Sequence, residues 1–142
     1  MADPYLEIAE TPRILLAQTA DLTIFTVTGR CVIHSIVGVV TTGLGAGAND
    51  ALLKIKPTVE ADVALCAALD IDGKIAGTLL NITGTFANAM QTTGSAAIIA
   101  QAARTIVAAG VIELECAASR AGNVKWVCRW EPLDAGSTIT PL

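Results

Sequence analysis

The stretch "VIELECAASRAGNVKWVCRW", residues 111–130, decides the fold class of this chain. Apolar and charged residues alternate in its first part, 111–118, and again in its last part, 124–131. A period of two is typical of a β-strand that buries one face and exposes the other. Between the two runs, "SRAGN" supplies Gly and Asn, which turns favour. The stretch therefore predicts a β-hairpin with one buried apolar face.

The two faces of this predicted hairpin differ in chemistry. The apolar face comprises Ile112, Leu114, Cys116, Val124, Trp126, Cys128 and Trp130. The charged face comprises Glu113 and Glu115 on the first strand and Lys125, Arg129 and Glu131 on the second. Opposite charges on neighbouring strands stabilise a sheet by roughly 0.2–1 kcal/mol a pair. We therefore expect Glu113 and Glu115 to form ion pairs with these bases. This interpretation is favoured over an acid–base role for the two carboxylates.

Two earlier runs predict further strands. "DLTIFTVTG" (21–29) and "RCVIHSIVGVVTT" (30–42) are rich in Val, Ile, Phe and Thr, and they would join at Gly29. The second run is apolar at both odd and even positions, which is typical of a strand covered on both faces. One face would meet the core. The other, with Val32, Ile36 and Val40, would meet a partner or the chain's own N-terminal arm.

The middle of the chain continues this series. "ALLKIKPT" (51–58), "DVALCAALDI" (62–71) and "KIAGTLLNITG" (74–84) are strand-like. The loop "GLGAGAND" (43–50) lacks the Lys-Ser/Thr of a phosphate-binding loop and is interpreted as a flexible turn. In "DIDG", Asp70 and Asp72 resemble the start of a calcium-binding loop. The twelfth position of that loop is Asn81 and not the required Glu, so a tight hairpin turn is favoured.

The ends of the predicted body are less regular. In 94–110, Ser95 as an N-cap and Gly110 after a C-terminus would frame an Ala-rich helix, whereas the β-branched pairs favour two short strands. Residues 1–20 hold two prolines within the first 12 and predict an extended N-terminal arm. Residues 21–142 would form one domain. The pattern as a whole predicts an all-β chain, an antiparallel sandwich or barrel that is jelly-roll-like.

Composition limits the partners. Only 15% of residues are charged against 53% hydrophobic, and residues 75–103 carry no charge at all. Polar residues interrupt that stretch too often for a membrane span, so we interpret it as part core and part interface with other subunits. The net charge is −4 and the nine basic residues are scattered. Neither nucleic acid nor an anionic membrane surface is an expected partner.

The residues able to carry chemistry do not form a motif. The four cysteines contain no C-x-x-C pair, and the chain has a single histidine, so the usual zinc spacing is absent. The N-terminal "MADPYLEIAE" has no signal-peptide pattern, which favours cysteines buried in a protein made in a reducing cytoplasm. His34 lies mid-strand, three positions after Cys31, and this odd spacing predicts opposite faces. No catalytic, cofactor-binding or metal-binding residue is expected, and an enzyme is disfavoured.

Three segments carry a family resemblance: "FTVTGRCVIHSIVGVVTT" (25–42), "LCAALDIDGKIAGTLLNITGTFANAM" (65–90) and "GNVKWVCRWEPLDAGSTIT" (122–140). Together they resemble small virion structural proteins of tailed bacteriophages. The resemblance implies a non-enzymatic decoration, or cement, protein on the capsid surface, made in the host cytoplasm. It also implies the major capsid protein as partner, a trimer, and contact through the arm or a loop.

Three other functions stay open at this point. A head-fibre, tail or baseplate component of the virion would have the same sandwich. A small-ligand or carbohydrate-binding β-sandwich module would need exposed aromatic residues. An enzyme would need a site built on His34 or a cysteine.

Overall fold

The computed structural model describes residues 6–11, 14–15, 21–93 and 97–141. Every regular element among these residues is a β-strand. The strands are β1 (Glu7–Glu10), β2 (Ile14–Leu15), β3 (Leu22–Thr28), β4 (Cys31–Thr42), β5 (Asp50–Pro57), β6 (Val63–Ala64), β7 (Leu69–Asp70), β8 (Leu79–Asn81), β9 (Gln91–Thr93), β10 (Thr105–Val107), β11 (Gly110–Cys116), β12 (Asn123–Pro132) and β13 (Thr138–Pro141).

The strands form two antiparallel sheets that pack face to face. The first sheet has the order β1-β12-β4-β8-β9, with β10 also on β4 and β2 also on β12. The second has the order β13-β3-β11-β5-β6, with β7 also on β5. Each sheet has one apolar face, and the two apolar faces enclose a single core. The predicted all-β antiparallel sandwich is confirmed.

The predicted buried faces of β11 and β12 are confirmed. Val124, Trp126, Cys128 and Trp130 are buried on β12, as are Ile112, Leu114 and Cys116 on β11. Gly38 of β4 lies opposite Trp126 in the register, and a Cβ atom there would come within 2.8 Å of the indole ring. The large side chain therefore fits because its cross-strand neighbour has none.

The predicted hairpin of residues 111–130 is wrong. β11 lies in the second sheet between β3 and β5, whereas β12 lies in the first sheet between β1 and β4. The connecting residues cross from one sheet to the other, with Gly122 at a φ of +116°. Period two fixes which face of a strand is buried, but not which strand lies beside it. Here the two apolar faces oppose each other across the core.

The expected ion pairs between these strands are wrong for the same reason. Glu115 lies 3.2 Å from Lys54 of β5, within the second sheet. Lys125 pairs with Glu10 of β1, within the first sheet. Glu113 lies directly opposite Lys54 in the register and is only 6% exposed.

The faces of β4 also differ from the prediction, because a register shift interrupts its alternation. Arg129 pairs with Ser35 but Trp130 pairs with Ile33, so His34 is the additional residue of a β-bulge. A bulge exchanges the two faces beyond it. Ile36 and Val40 are therefore buried in the core. The outer apolar face of β4 consists of Val32, Val37 and Val39, each half-buried.

In its described part, the segment 94–110 contains no helix, and it contains one short strand, β10, where two were predicted. Residues 97–104 are irregular, Thr105–Val107 forms β10, and β11 begins at Gly110. The amides of Ala102 and Ala103 donate to the Thr83 carbonyl, and the Asn81 side-chain amide donates to the Ile99 carbonyl at 2.5 Å. This segment covers part of the first sheet without adding a second strand. Residues 94–96 lie outside the described part.

Two pieces of the predicted arm belong to the first sheet. Glu7–Glu10 and Ile14–Leu15 both pair with β12. The Thr11 hydroxyl accepts a hydrogen bond of 2.9 Å from the backbone amide of Trp126. The rest of the predicted arm, 1–5, 12–13 and 16–20, lies outside the described residues. The body and the arm are thus joined by backbone pairing along the first sheet.

The Gly-rich loop 43–50 is held on several sides, which differs from the flexible turn predicted. The Asp70 carboxylate accepts hydrogen bonds from the backbone amides of Asn49 and Asp72, each at 3.0 Å. The Asp72 carboxylate accepts a hydrogen bond from the Gly47 amide at 2.7 Å. These hydrogen bonds lower the pKa of Asp70 below its ordinary value. The turn at Gly73 has a φ of +62°, but it leads from β7 in the second sheet to β8 in the first. It is a turn, therefore, and not a hairpin.

Candidate functional site

The structure separates the two residues most able to form a nucleophile and base. His34 lies in the bulge of β4, with Nε2 2.8 Å from Oε1 of Glu131 on β12. Cys31 is fully buried in the core. Among the described residues, no group of three or more His, Cys, Asp and Glu side chains is arranged to hold a metal ion.

All four cysteines are buried and free, which confirms them as small core residues. Burial raises the pKa of the Cys128 thiol to about 12 and that of Cys116 to about 11. The pKa values of Cys31 and Cys66 are also raised by burial. Because the thiolate is the reactive form, these thiols are held in their unreactive state at neutral pH.

The main cluster of charges is centred on Lys54, on the outer face of the second sheet. Its Nζ lies 2.6 Å from Asp21, 3.2 Å from Glu115 and 3.5 Å from Asp62. The hydrogen bond to Asp21 is the main reason that the pKa of Lys54 is raised above its ordinary value. Its side chain is only 12% exposed. This arrangement neutralises carboxylates from three separate parts of the chain.

An apolar groove opens at one edge of the sandwich, between β10 of the first sheet and β5 and β6 of the second. Its volume is about 260 Å³. The buried side chains of Ile55, Leu65 and Val107 line it. Its exposed lining includes Val63 (41% exposed), Phe86 (46%) and Ile106 (63%). Glu60 is the one charged residue in the lining as far as the described part of the chain shows.

The groove exists because the strands at this edge are short. β10 has three residues and β6 has two, and in the described part each pairs with one neighbour only. The edges of the two sheets therefore leave apolar side chains without cover. Exposed apolar residues that lie together mark surfaces for interaction.

Sequence reasoning identified the groove only in part. Phe86 belongs to the uncharged stretch that was interpreted as part interface. Val63 and Ile106 were missed. The available signal for Ile106 is the run "TIV", in which an apolar residue alternates with the buried Thr105 and Val107 and so must face outward.

The opposite edge of the first sheet carries a second exposed apolar site. Ile8 of β1 is 57% exposed and lies directly across from Arg129 of β12, whose side chain is also exposed. None of the ion pairs found among the described residues involves Arg129. Leu133, in the loop after β12, is 46% exposed. An apolar side chain and a guanidinium are thus presented side by side.

The two tryptophans lie in the core. Trp126 is fully buried and Trp130 is 6% exposed. Neither indole ring can therefore serve as an exposed stacking platform for a sugar in this structure.

The described part of the chain includes no helix of a length and apolarity that would let it cross a membrane. Comparison with protein-family models, with curated proteins and with solved structures finds no match to this chain.

Proposed function

We propose that this chain is a non-enzymatic structural protein of a bacteriophage virion. More specifically, we propose that it is a decoration, or cement, protein that binds the major capsid protein on the outside of the shell. The proposal starts from the sequence resemblance in 25–42, 65–90 and 122–140. The confirmed β-sandwich is compatible with this role.

The observation that carries the proposal is the apolar groove on a surface poor in charge. Val63, Phe86 and Ile106 are exposed beside one another at an open edge of the sandwich. Exposed apolar residues that lie together mark surfaces for interaction, and a subunit of an assembly would bury such a surface against its neighbour. Many modest contacts repeated over a shell produce strong attachment through avidity. The proposed assembly is a trimer on the capsid surface.

Binding to empty shells tests this function. The purified protein is mixed with shells assembled from the major capsid protein encoded in the same genome, and the mixture is sedimented. We expect the protein to pellet with the shells at a fixed ratio and to raise the temperature at which they dissociate. Protein that stays in the supernatant at every ratio contradicts the cement role. Antibody labelling of whole virions on the tail and not the head would instead support the fibre, tail or baseplate alternative.

A second candidate function follows from the same groove. A volume of about 260 Å³ lined mainly by apolar residues suits part of a small apolar ligand. Carbohydrate is less suitable, because both tryptophans lie in the core. Enrichment of apolar compounds in a mass-spectrometric screen of the purified protein, with no shell binding, would favour this candidate.

A further inference from the structure

We infer that copies of this chain associate head to tail, with Ile8 and Arg129 of one copy seated in the apolar groove of the next. The inference deepens the proposed function, since it rests on the self-association proposed there and names the two surfaces that make it. It does not depend on the capsid as partner.

The groove defines the chemistry of its occupant. Its apolar lining favours a large aliphatic or aromatic side chain, and Val63, Phe86 and Ile106 are exposed enough to touch one. Among the described residues that line the groove, Glu60 is the only charged one, and it is exposed. An occupant that also carries a cation would pair with it. The best fit is therefore an apolar side chain with a basic side chain beside it.

The β1 edge of the same chain presents that combination. Ile8 and Arg129 are directly opposite each other in the β1–β12 register, so both side chains project from the outer face of the first sheet. Cross-strand neighbours of this kind lie roughly 5 Å apart at their Cβ atoms. Arg30, just before β4, contacts Asp134 through two hydrogen bonds of 2.7 Å, and Lys125 of β12 pairs with Glu10, whereas none of the ion pairs found among the described residues involves Arg129. Arg129 is thus available to Glu60 of another copy.

The two surfaces cannot meet within one copy. β1 lies at one edge of the first sheet, and β10 lies on the far side of β4, with β12 between β1 and β4. Three strand spacings separate them, roughly 14 Å. Head-to-tail addition makes the contact heterologous, because it joins two different surfaces, and each open end of the assembly keeps either a free groove or a free Ile8 edge. Such contacts produce closed rings, of which a trimer is one, or open chains.

Complementation between two variants tests this arrangement. Ile8→Gln removes the inserted side chain but keeps the groove, and Ile106→Gln alters the groove but keeps the inserted side chain. We expect each variant alone to be monomeric by light scattering, and a mixture to form one-to-one heterodimers and nothing larger. Ile75→Gln is the matched control, since Ile75 is 65% exposed and Ile106 63%, and Ile75 does not line the groove. This control should assemble like the wild type.

Charge reversal provides an independent readout. Glu60→Arg and Arg129→Glu should each weaken association at least tenfold, and the double variant should recover most of the loss. A monomeric wild type, single variants that still assemble, or a mixture that stays monomeric would each overturn the inference. Sedimentation with capsid shells is measured in parallel. Shell binding without self-association would refute the head-to-tail contact and leave the cement role intact. Self-association without shell binding would refute the cement role and leave the head-to-tail contact intact.

Discussion

The close approach of Gly38 to Trp126 leads to a quantitative prediction about the core. These two residues face each other on β4 and β12, the pair of strands at the centre of the first sheet. The substitution Gly38→Ala adds one methyl group. That group would lie 2.8 Å from one carbon of the indole ring and 3.0 Å from two others. Carbon atoms prefer separations of roughly 3.5–4.0 Å, so the ring must move by about 0.7–1.2 Å.

The ring has little room to make that movement. Trp126 is fully buried, and its neighbours on the inner face are themselves buried. Overpacking of a filled core costs about 1–3 kcal/mol. Taking about 2 kcal/mol, and a shift of roughly 2–4 °C per kcal/mol for a chain near this size, we expect the melting temperature to fall by about 4–8 °C.

Urea and thermal unfolding followed by tryptophan fluorescence measure this effect. Gly43→Ala is the matched control, because the nearest atom to its added methyl group is 4.0 Å away. It should leave the stability within roughly 0.5 kcal/mol of the wild type. The double variant Gly38→Ala/Trp126→Phe supplies a second test. The close atoms belong to the six-membered ring of the indole, which phenylalanine does not place there, so the two effects should not add.

Two results would refute the reasoning. A Gly38→Ala variant as stable as Gly43→Ala would mean that the indole ring moves freely. Simple additivity in the double variant would mean that the contact between methyl group and ring is not the source of the loss.

Three further predictions concern charges and thiols. Arg30 lowers the pKa of Asp134, so Arg30→Gln should return that pKa toward its ordinary value in an NMR titration. The pair stabilises the fold fully above the unfolded-state pKa of Asp134, roughly 4. This contribution is lost as the pH falls through the lower pKa of Asp134 in the folded state. Lys54→Met leaves Asp21 and Glu115 without their cation and should lower the free energy of unfolding by about 1 kcal/mol at low salt, and by less in 1 M NaCl, as urea titrations at both salt concentrations would show. The thiols should resist a thiol reagent at pH 7.5 in the native protein, and all four should react in 6 M guanidinium; fast labelling of the native state would contradict their burial.

The buried faces of the strands were predictable from the sequence, because side-chain alternation reports directly on which face is apolar. β12 is the clearest example, with four buried residues at every second position. The identity of neighbouring strands was not predictable in the same way. A connection that turns back within one sheet and one that crosses to the other sheet both use Gly and polar residues. Gly29 and Gly122 serve crossings, although their sequences are equally typical of hairpins.

The outer face of β4 shows a second limit. Its bulge at His34 exchanges the two faces, and nothing in the run of β-branched residues indicates where the extra residue lies. The groove was hidden for a related reason. It is formed by residues of β5, β6 and β10 and by Phe86, which are far apart in the chain and meet only because two short edge strands leave the sandwich open.

The crossing of successive strands between the sheets has a consequence for the order of folding. β3, β4 and β5 alternate between the two sheets, and their main partners are β11 and β12, near the other end of the chain. Neither sheet has its central pairing until those late strands exist. Closing such long loops is entropically costly, which places folding in the slow, millisecond-to-second range of β proteins. During synthesis, the central pairing of both sheets would therefore form only after β11 and β12 have left the ribosome.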